Sequence, residues 1–171
     1  QNKIPNPELD LKILLKYASH SKKEIILSNF DINNIDLALF KNLIIKRLNN
    51  EPISKIINKK SFWKCDFYVD SNVLDPRPET ELIIEEVLKN TKNNKSKLNI
   101  LDIGTGSGCL AISLAQELVN SKILAIDISS KALIVADKNI KKYNLQNRVN
   151  IKCSEFYNLK EKFDIIVSNP P

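Results

Sequence analysis

All three glycines of this 171-residue chain fall in one seven-residue window, Asp102-Ile103-Gly104-Thr105-Gly106-Ser107-Gly108. An apolar run at 98–103 precedes them and an amphipathic stretch at 109–118 follows, so the window is a strand-to-helix turn. Glycine is required where a turn is tight or where a ligand must come against the backbone. The helix N-terminus adds unpaired N–H donors suited to a carboxylate. The window therefore reads as a ligand cradle. Beyond it the pattern continues as strand 122–126, helix 130–143 and strands 149–152 and 163–167. Short Ile, Leu and Val runs between amphipathic helices are what a parallel sheet covered on both faces requires. The predicted architecture is a doubly wound α/β domain.

Two further features belong to the C-terminal ends of those strands, where such sheets bind ligands. Asp127 ends the second strand, 19 residues after Gly108, where a carboxylate can accept hydrogen bonds from the two hydroxyls of a ribose. Taken alone it reads equally well as an N-cap or dipole partner of the helix that begins near Ser129 and Ser130. The last strand runs into Ser168-Asn169-Pro170-Pro171. An Asn whose following prolines fix the backbone can hold a planar NH2 group, with its side-chain oxygen and the next carbonyl as acceptors. That arrangement suits an amide or an exocyclic base amine, and catalysis there would rest on orientation more than on acid–base chemistry. The tripeptide alone is also an ordinary turn after a strand.

Upstream, residues 6–50 contain no glycine and show helical spacing, as at Leu37, Phe40, Ile44 and Leu48. Pro7 fits a first turn capped by Asn6, and Ser21 with Glu24 reads as a capping box. A helical bundle is expected over 1–58, a β-hairpin linker over 59–76 around Phe62, Trp63, Phe67 and Tyr68, and the α/β domain over 77–171. Within the last, a helix over 79–89 should turn Leu82, Ile83, Val87 and Leu88 to one side. No apolar run approaches the roughly 18 residues of a membrane span, and the N-terminus lacks a signal-peptide layout, so a cytoplasmic location is expected. Cys65, Cys109 and Cys153 are too scattered for a metal site or a disulfide framework, and no metal is expected. The net charge of +6 comes with 23 Lys, 21 Asn and 24 Ile. That skew reads as a compositional bias, and solvated surface is the favoured reading over a basic partner-binding face.

The loop is not the nicotinamide fingerprint, which would place its third glycine at Cys109. D-x-G-x-G-x-G instead resembles the class I methyltransferases, which use S-adenosyl-L-methionine. Asn-Pro-Pro is shared by methyltransferases acting on DNA bases, ribosomal RNA guanine and protein glutamine. The segment Asn72-Val73-Leu74-Asp75-Pro76-Arg77-Pro78-Glu79-Thr80-Glu81 narrows the choice, because it resembles the signature of the HemK/PrmC glutamine methyltransferases. Glu51-Pro52-Ile53, Ser61-Phe62-Trp63 and residues 10–15 resemble that family's linker and first helix. The resemblance implies a class I methyltransferase fold, a Rossmann-like doubly wound sheet preceded by a small all-α bundle, with sheet order 3-2-1-4. It implies methylation of the glutamine amide in the Gly-Gly-Gln motif of peptide chain release factors, with no sequence-specific nucleic-acid binding.

By the same resemblance Gly104, Thr105, Gly106, Ser107, Gly108, Asp127, Phe156 and Asn169 bind cofactor. Asn169 and Pro170 are catalytic, and Asn169, Pro170 and Pro171 hold substrate. Phe156 lies against the adenine, and Glu155 stands where the family more often has Asp. Lys55 and Asn58 replace the usual Tyr and Gly of the linker. The family continues past the prolines with Tyr and three further strands, so the chain is expected to be the N-terminal part of a longer protein, with its sheet incomplete.

Overall fold

The computed structural model describes residues 4–19, 32–91 and 97–170. The chain divides between Asn58 and Lys59 into two compact units. Among the described residues no helix is long and apolar enough to cross a membrane.

The first unit contains helices α1 (Pro7–Ala18), α2 (Leu37–Leu48) and the single turn α3 (Ile53–Ile56). Pro7 opens α1 with its φ already near the helical value. Asn6 occupies the N-cap position, but its side chain makes no cap hydrogen bond. Asp36 does cap α2, its carboxylate accepting the Leu39 N–H at 2.9 Å. The capping box at Ser21 and Glu24 lies outside the described residues. The core is Leu14, Leu15, Ala18, Ile35, Leu43 and Ile56, with Phe40 and Ile44 packed on it. The expected stripe along α2 is thus only half realised. Leu37 and Leu48 stand exposed at the two ends of the helix, while the contact face centres on Leu43. Arg47 Nε donates to Asp10 Oδ2 at 2.6 Å, with both side chains mostly buried, and ties α2 to α1. Asn58 has φ 51°. Asparagine tolerates this left-handed region better than most other non-glycine residues.

The second unit begins with an antiparallel hairpin, β1 (Lys60–Phe62) and β2 (Cys65–Phe67), in which Phe62 pairs with Cys65 across the turn. Trp63 holds the turn at φ 51°, a strained conformation for a bulky residue. It is fixed from two sides: its backbone N–H donates to Glu81 Oε1 at 2.6 Å and its indole N–H to Glu117 Oε1 at 2.7 Å. Expected to serve as a linker, the hairpin packs as part of this unit's core. Phe62, Cys65, Phe67, Val69 and Val73 share one cluster with Ile84, Ile100, Ile112 and Ile123. Phe67 is fully buried, its ring edge-on to Phe62 and 5.9 Å from Tyr143.

A 3-10 turn, Pro78–Thr80, leads into α4 (Glu81–Thr91). Of the expected apolar side, Ile83, Val87 and Leu88 pack on the core around the fully buried Ile84, while Leu82 is 64% exposed. At 3.6 residues per turn Leu82, two positions before Ile84, points to nearly the opposite side of the helix. The sheet comprises β3 (Asn99–Ile103), β4 (Lys122–Asp127), β5 (Val149–Cys153) and β6 (Ile165–Ser168) in the order β5-β4-β3-β6, all parallel. This is the expected 3-2-1-4 order. Helices α5 (Cys109–Glu117) and α6 (Ser130–Lys142) make the crossovers from β3 to β4 and from β4 to β5. The near-continuous apolar face of α5, from Leu110 to Ala115, is fully buried, as a helix laid on a doubly covered sheet must be.

If the hairpin is core, Phe67→Ala destabilises the second unit by about 3–5 kcal/mol. A urea titration followed by circular dichroism would show the midpoint falling. An unchanged midpoint would return the hairpin to a peripheral role.

Candidate active site

Strand register decides what meets at the top of the sheet. Ile103 pairs with Ile126 on one side and with Ser168 on the other, so the residues next along each chain emerge at one level. They are Gly104, Asp127 and Asn169. Together with Asn72, Val73 and Leu74 on one flank and Ile128, Glu155, Phe156 and Tyr157 on the other, they line a cleft of about 700 Å³. That volume is suited to a small-molecule ligand.

The glycine loop leaves β3 with φ 72° at Gly104 and 55° at Gly106. A Cβ built on Gly104 would meet nothing within 4 Å, and one on Gly106 only the Gly104 carbonyl at 3.9 Å. Both therefore present bare backbone to the open cleft, as a cradle for a closely approaching ligand requires. Gly108 has a different reason to be glycine. It sits at the start of α5 with φ 80°, and a Cβ there would come within 3.3 Å of Ile112 Cδ1 and 3.5 Å of Ala136 on α6. It lets two helices approach each other.

Thr105 and Ser107 turn inward. The Thr105 hydroxyl donates to Asp102 Oδ2 at 2.6 Å in a fully buried contact. Burial pushes the Asp102 carboxyl up to about 6, against the Thr105 hydroxyl and the Ala111 backbone N–H, which both favour its ionised form. The Ser107 carbonyl accepts from Asn139 Nδ2 at 2.8 Å. Asn139 is itself completely buried on α6, and it also donates to the Tyr68 carbonyl at 3.0 Å and accepts the Tyr68 N–H at 2.7 Å. One amide thus locks the glycine loop to the strand leading from the hairpin toward Asn72. Burial pushes the Cys109 thiol, at the head of α5, up to about 12, which favours its protonated form.

Asp127 is not the cap of α6. Ser129 is, accepting the Ala132 N–H on its hydroxyl at 3.2 Å. The Asp127 carboxylate bridges two loops instead: Oδ2 accepts the Gly106 N–H and Oδ1 the Ser129 N–H, each at 2.9 Å. Each oxygen retains a further lone pair for a ligand hydroxyl lying in the cleft. Phe156 opens a 3-10 turn, its ring 60% exposed at the mouth of the cleft, where a flat ligand could cover it. Bare backbone, a hydrogen-bond-accepting acid and an exposed aromatic ring on one cleft fit a nucleoside-bearing ligand.

Asn169 follows β6, which is fastened to β3 by the Ser168 hydroxyl donating to the Ile103 carbonyl at 3.0 Å. Its Nδ2 donates to Thr80 Oγ1 at 2.8 Å, and Thr80 is buried. One N–H of Nδ2 is thus engaged, and Oδ1 can serve as an acceptor for a ligand. Of the sequence-predicted residues, the cleft therefore gathers Gly104, Gly106, Asp127, Phe156 and Asn169. Thr105, Ser107 and Gly108 lie behind the loop and hold it. Pro170 is exposed next to Asn169 and outside the cleft lining, and Pro171 lies outside the described residues. Sequence reasoning missed Asn139 and the role of Thr80. Asn139 left a signal, a lone polar residue on the otherwise apolar face formed by Ala132, Val135, Ala136 and Ile140; Thr80, between Glu79 and Glu81, left none.

Two outcomes are expected. Gly108→Ala lowers the melting temperature more than Gly104→Ala in scanning calorimetry, because only the former adds a clash to the backbone strain of about 1–2 kcal/mol; equal shifts would refute that division. Asp102 holds its proton more tightly in the native state than in the unfolded chain. Its contribution to stability therefore falls as pH rises from near 4, the unfolded value, to about 6, and is level above that. Asp102→Asn removes this slope from a pH series of denaturation midpoints, and an unaltered slope would assign it elsewhere.

Residues 75–171 match the family described as methyltransferase small domain. The chain is 40% identical over 171 residues to a release factor glutamine methyltransferase of Buchnera aphidicola, covering 97% of this chain and 60% of that protein. It is 37% identical over 197 residues to a bifunctional methyltransferase of Rickettsia bellii, covering 98% of this chain and 35% of that one. It thus spans between about a third and three-fifths of the length of these relatives. A crystal structure of a SAM-dependent methyltransferase from Agrobacterium tumefaciens aligns over 66% of this chain and 39% of its own, with TM-score 0.54 and 18% identity, a likeness of fold. With more than half of its residues inside the matched region, the chain belongs to the methyltransferase small-domain family.

Proposed function

We propose that this chain is part of an enzyme that uses S-adenosyl-L-methionine to methylate the side-chain amide nitrogen of the glutamine in the Gly-Gly-Gln motif of peptide chain release factors. The observation that carries this reading is the placement of Asn169. Its amide lines the same cleft as Gly104, Gly106 and Asp127, with Nδ2 held by Thr80 and Oδ1 left as an acceptor. An acceptor at that point selects a nitrogen that brings hydrogens with it. The similarity to release factor glutamine methyltransferases supports the amide as the nitrogen and the release factor as its carrier.

In this reading Gly104 and Gly106 admit the amino-acid portion of the cofactor against bare backbone, and Asp127 accepts the ribose hydroxyls. Phe156 offers its ring to the adenine, and Glu155 stands by the adenine amine. When bound, the cofactor supplies an electrophilic methyl group on its sulfonium. The protein's task is then to present the nitrogen. Asn169 Oδ1 accepts one N–H of the glutamine amide, and the carbonyl of Pro170 accepts the other. This draws electron density onto nitrogen and turns its lone pair toward the methyl group. With the cofactor held by Gly104, Gly106 and Asp127, the amide nitrogen would take its methyl group in exchange for one amide proton, which would pass to solvent. No side-chain base is needed, since acceptor hydrogen bonds that strengthen as nitrogen becomes positive supply the stabilisation. A cytoplasmic setting and the absence of sequence-specific nucleic-acid binding belong to the same reading.

The test is transfer of labelled methyl by the full-length protein to an intact release factor, to the same factor with the Gly-Gly-Gln glutamine replaced, and to bulk nucleic acid. Label on the intact factor alone is expected, with Asn169→Ala reducing the rate by about 100-fold or more. Label on nucleic acid, or on the glutamine-less factor, would overturn the proposal.

A further inference from the structure

The hydrogen bond between Thr80 and Asn169 joins two segments 89 residues apart. We propose that Thr80 is a positioning residue that holds the Asn169 side-chain amide in place at the cleft for the proposed methyl transfer. This inference rests on the proposed methyl transfer to an amide and adds to it the contact that steadies the group presenting that amide.

An asparagine amide has two unlike edges, one oxygen acceptor and one NH2 donor, related by a half-turn of χ2. Facing the cleft with oxygen, it binds a group that carries N–H. Facing it with NH2, it binds a carbonyl or ring-nitrogen acceptor and repels the amide hydrogens that must be held. Two facts on the strand side, the Ser168 hydroxyl on Ile103 and the parallel pairing of β6 with β3, fix where Asn169 begins but not how its amide is turned. The Nδ2–Oγ1 contact at 2.8 Å restrains its rotation.

Thr80 is well placed for the task because its own position is over-determined. Pro78 opens the 3-10 turn, and the Thr80 N–H closes it on the Arg77 carbonyl at 3.0 Å. The next residue, Glu81, is anchored by its carboxylate to the Trp63 N–H. The threonine side chain is β-branched, with restricted χ1, and is 4% exposed. A hydroxyl held in this way is a fixed point against which a mobile amide can be turned.

The test uses the full-length protein with Thr80→Val, which keeps the shape and removes the hydroxyl, and Thr80→Ser, which keeps the hydroxyl. Three quantities are read: hydrogen exchange of the Asn169 side-chain NH2 by NMR, assigned by its loss in Asn169→Ala; the dissociation constant for S-adenosylhomocysteine; and kcat and KM for methyl transfer. Loss of one hydrogen bond to a buried group predicts about tenfold faster NH2 exchange and a fall in kcat of about tenfold in Thr80→Val. Cofactor affinity should hold within about twofold, and Thr80→Ser should recover most of the rate. Unchanged NH2 exchange in Thr80→Val would overturn the proposal. So would parallel losses of cofactor affinity, melting temperature and rate, which mark a merely structural residue. If Thr80→Val does not fold, Thr80→Ser alone decides, by retaining or losing the slow NH2 exchange. Should the wild-type protein methylate no glutamine, the functional reading falls, while the exchange measurement still decides whether Thr80 holds Asn169.

Discussion

The register of β3 between its two neighbours is the constraint on which the rest of the second unit depends. Ile103 lies level with Ile126 on one side and Ser168 on the other, and each of these strands ends within a residue of that line. Parallel pairing makes this placement possible, because strands that run the same way deliver their C-terminal ends, and whatever follows them, to one edge of the sheet. A slip of one residue in either pairing would turn the side chains of a whole strand from one face to the other. The cleft is thus a property of the ladder before it is a property of any side chain in it.

Behind the cleft stands a second layer of contacts that face away from it. Asp102 and Thr105 close the inside of the glycine loop, Asn139 ties that loop to the backbone of Tyr68, and Gly108 sets how near α5 comes to α6. These groups are almost wholly buried, so each hydrogen bond replaces water that cannot reach it, and losing one partner leaves the other stranded. The loop can afford to be bare on its open side because it is so heavily held on the other.

Much of this was legible in the sequence, for reasons that differ by element. The strand order and the glycine cradle follow from apolar runs, helical periods and the crowding of every glycine into one turn, all of them local signals. Asp127 was found by its spacing, but its engagement with the Gly106 and Ser129 N–H groups depends on how two loops meet in space. The face of α4 was read correctly at Ile83, Val87 and Leu88 but not at Leu82, which points away from the buried Ile84, and the stripe on α2 was over-extended because its ends pass beyond the core. Thr80 and Asn139 act across 89 and 71 residues of sequence. No period or spacing encodes such a pairing. The resemblance marked the segment containing Thr80 without saying what its hydroxyl touches.

The bridging carboxylate of Asp127 has a thermodynamic consequence of its own. A free aspartate on a cleft wall samples several rotamers and sheds bound water before it can receive a ligand, and both costs are charged against affinity. Here two main-chain donors have already selected the rotamer and taken the place of part of the hydration shell. Ligand hydroxyls would then meet an acceptor whose entropy was surrendered during folding. The same anchoring makes the position sensitive to length: a glutamate, one methylene longer, would have to give up at least one of the two main-chain bonds to place its carboxylate at the same point.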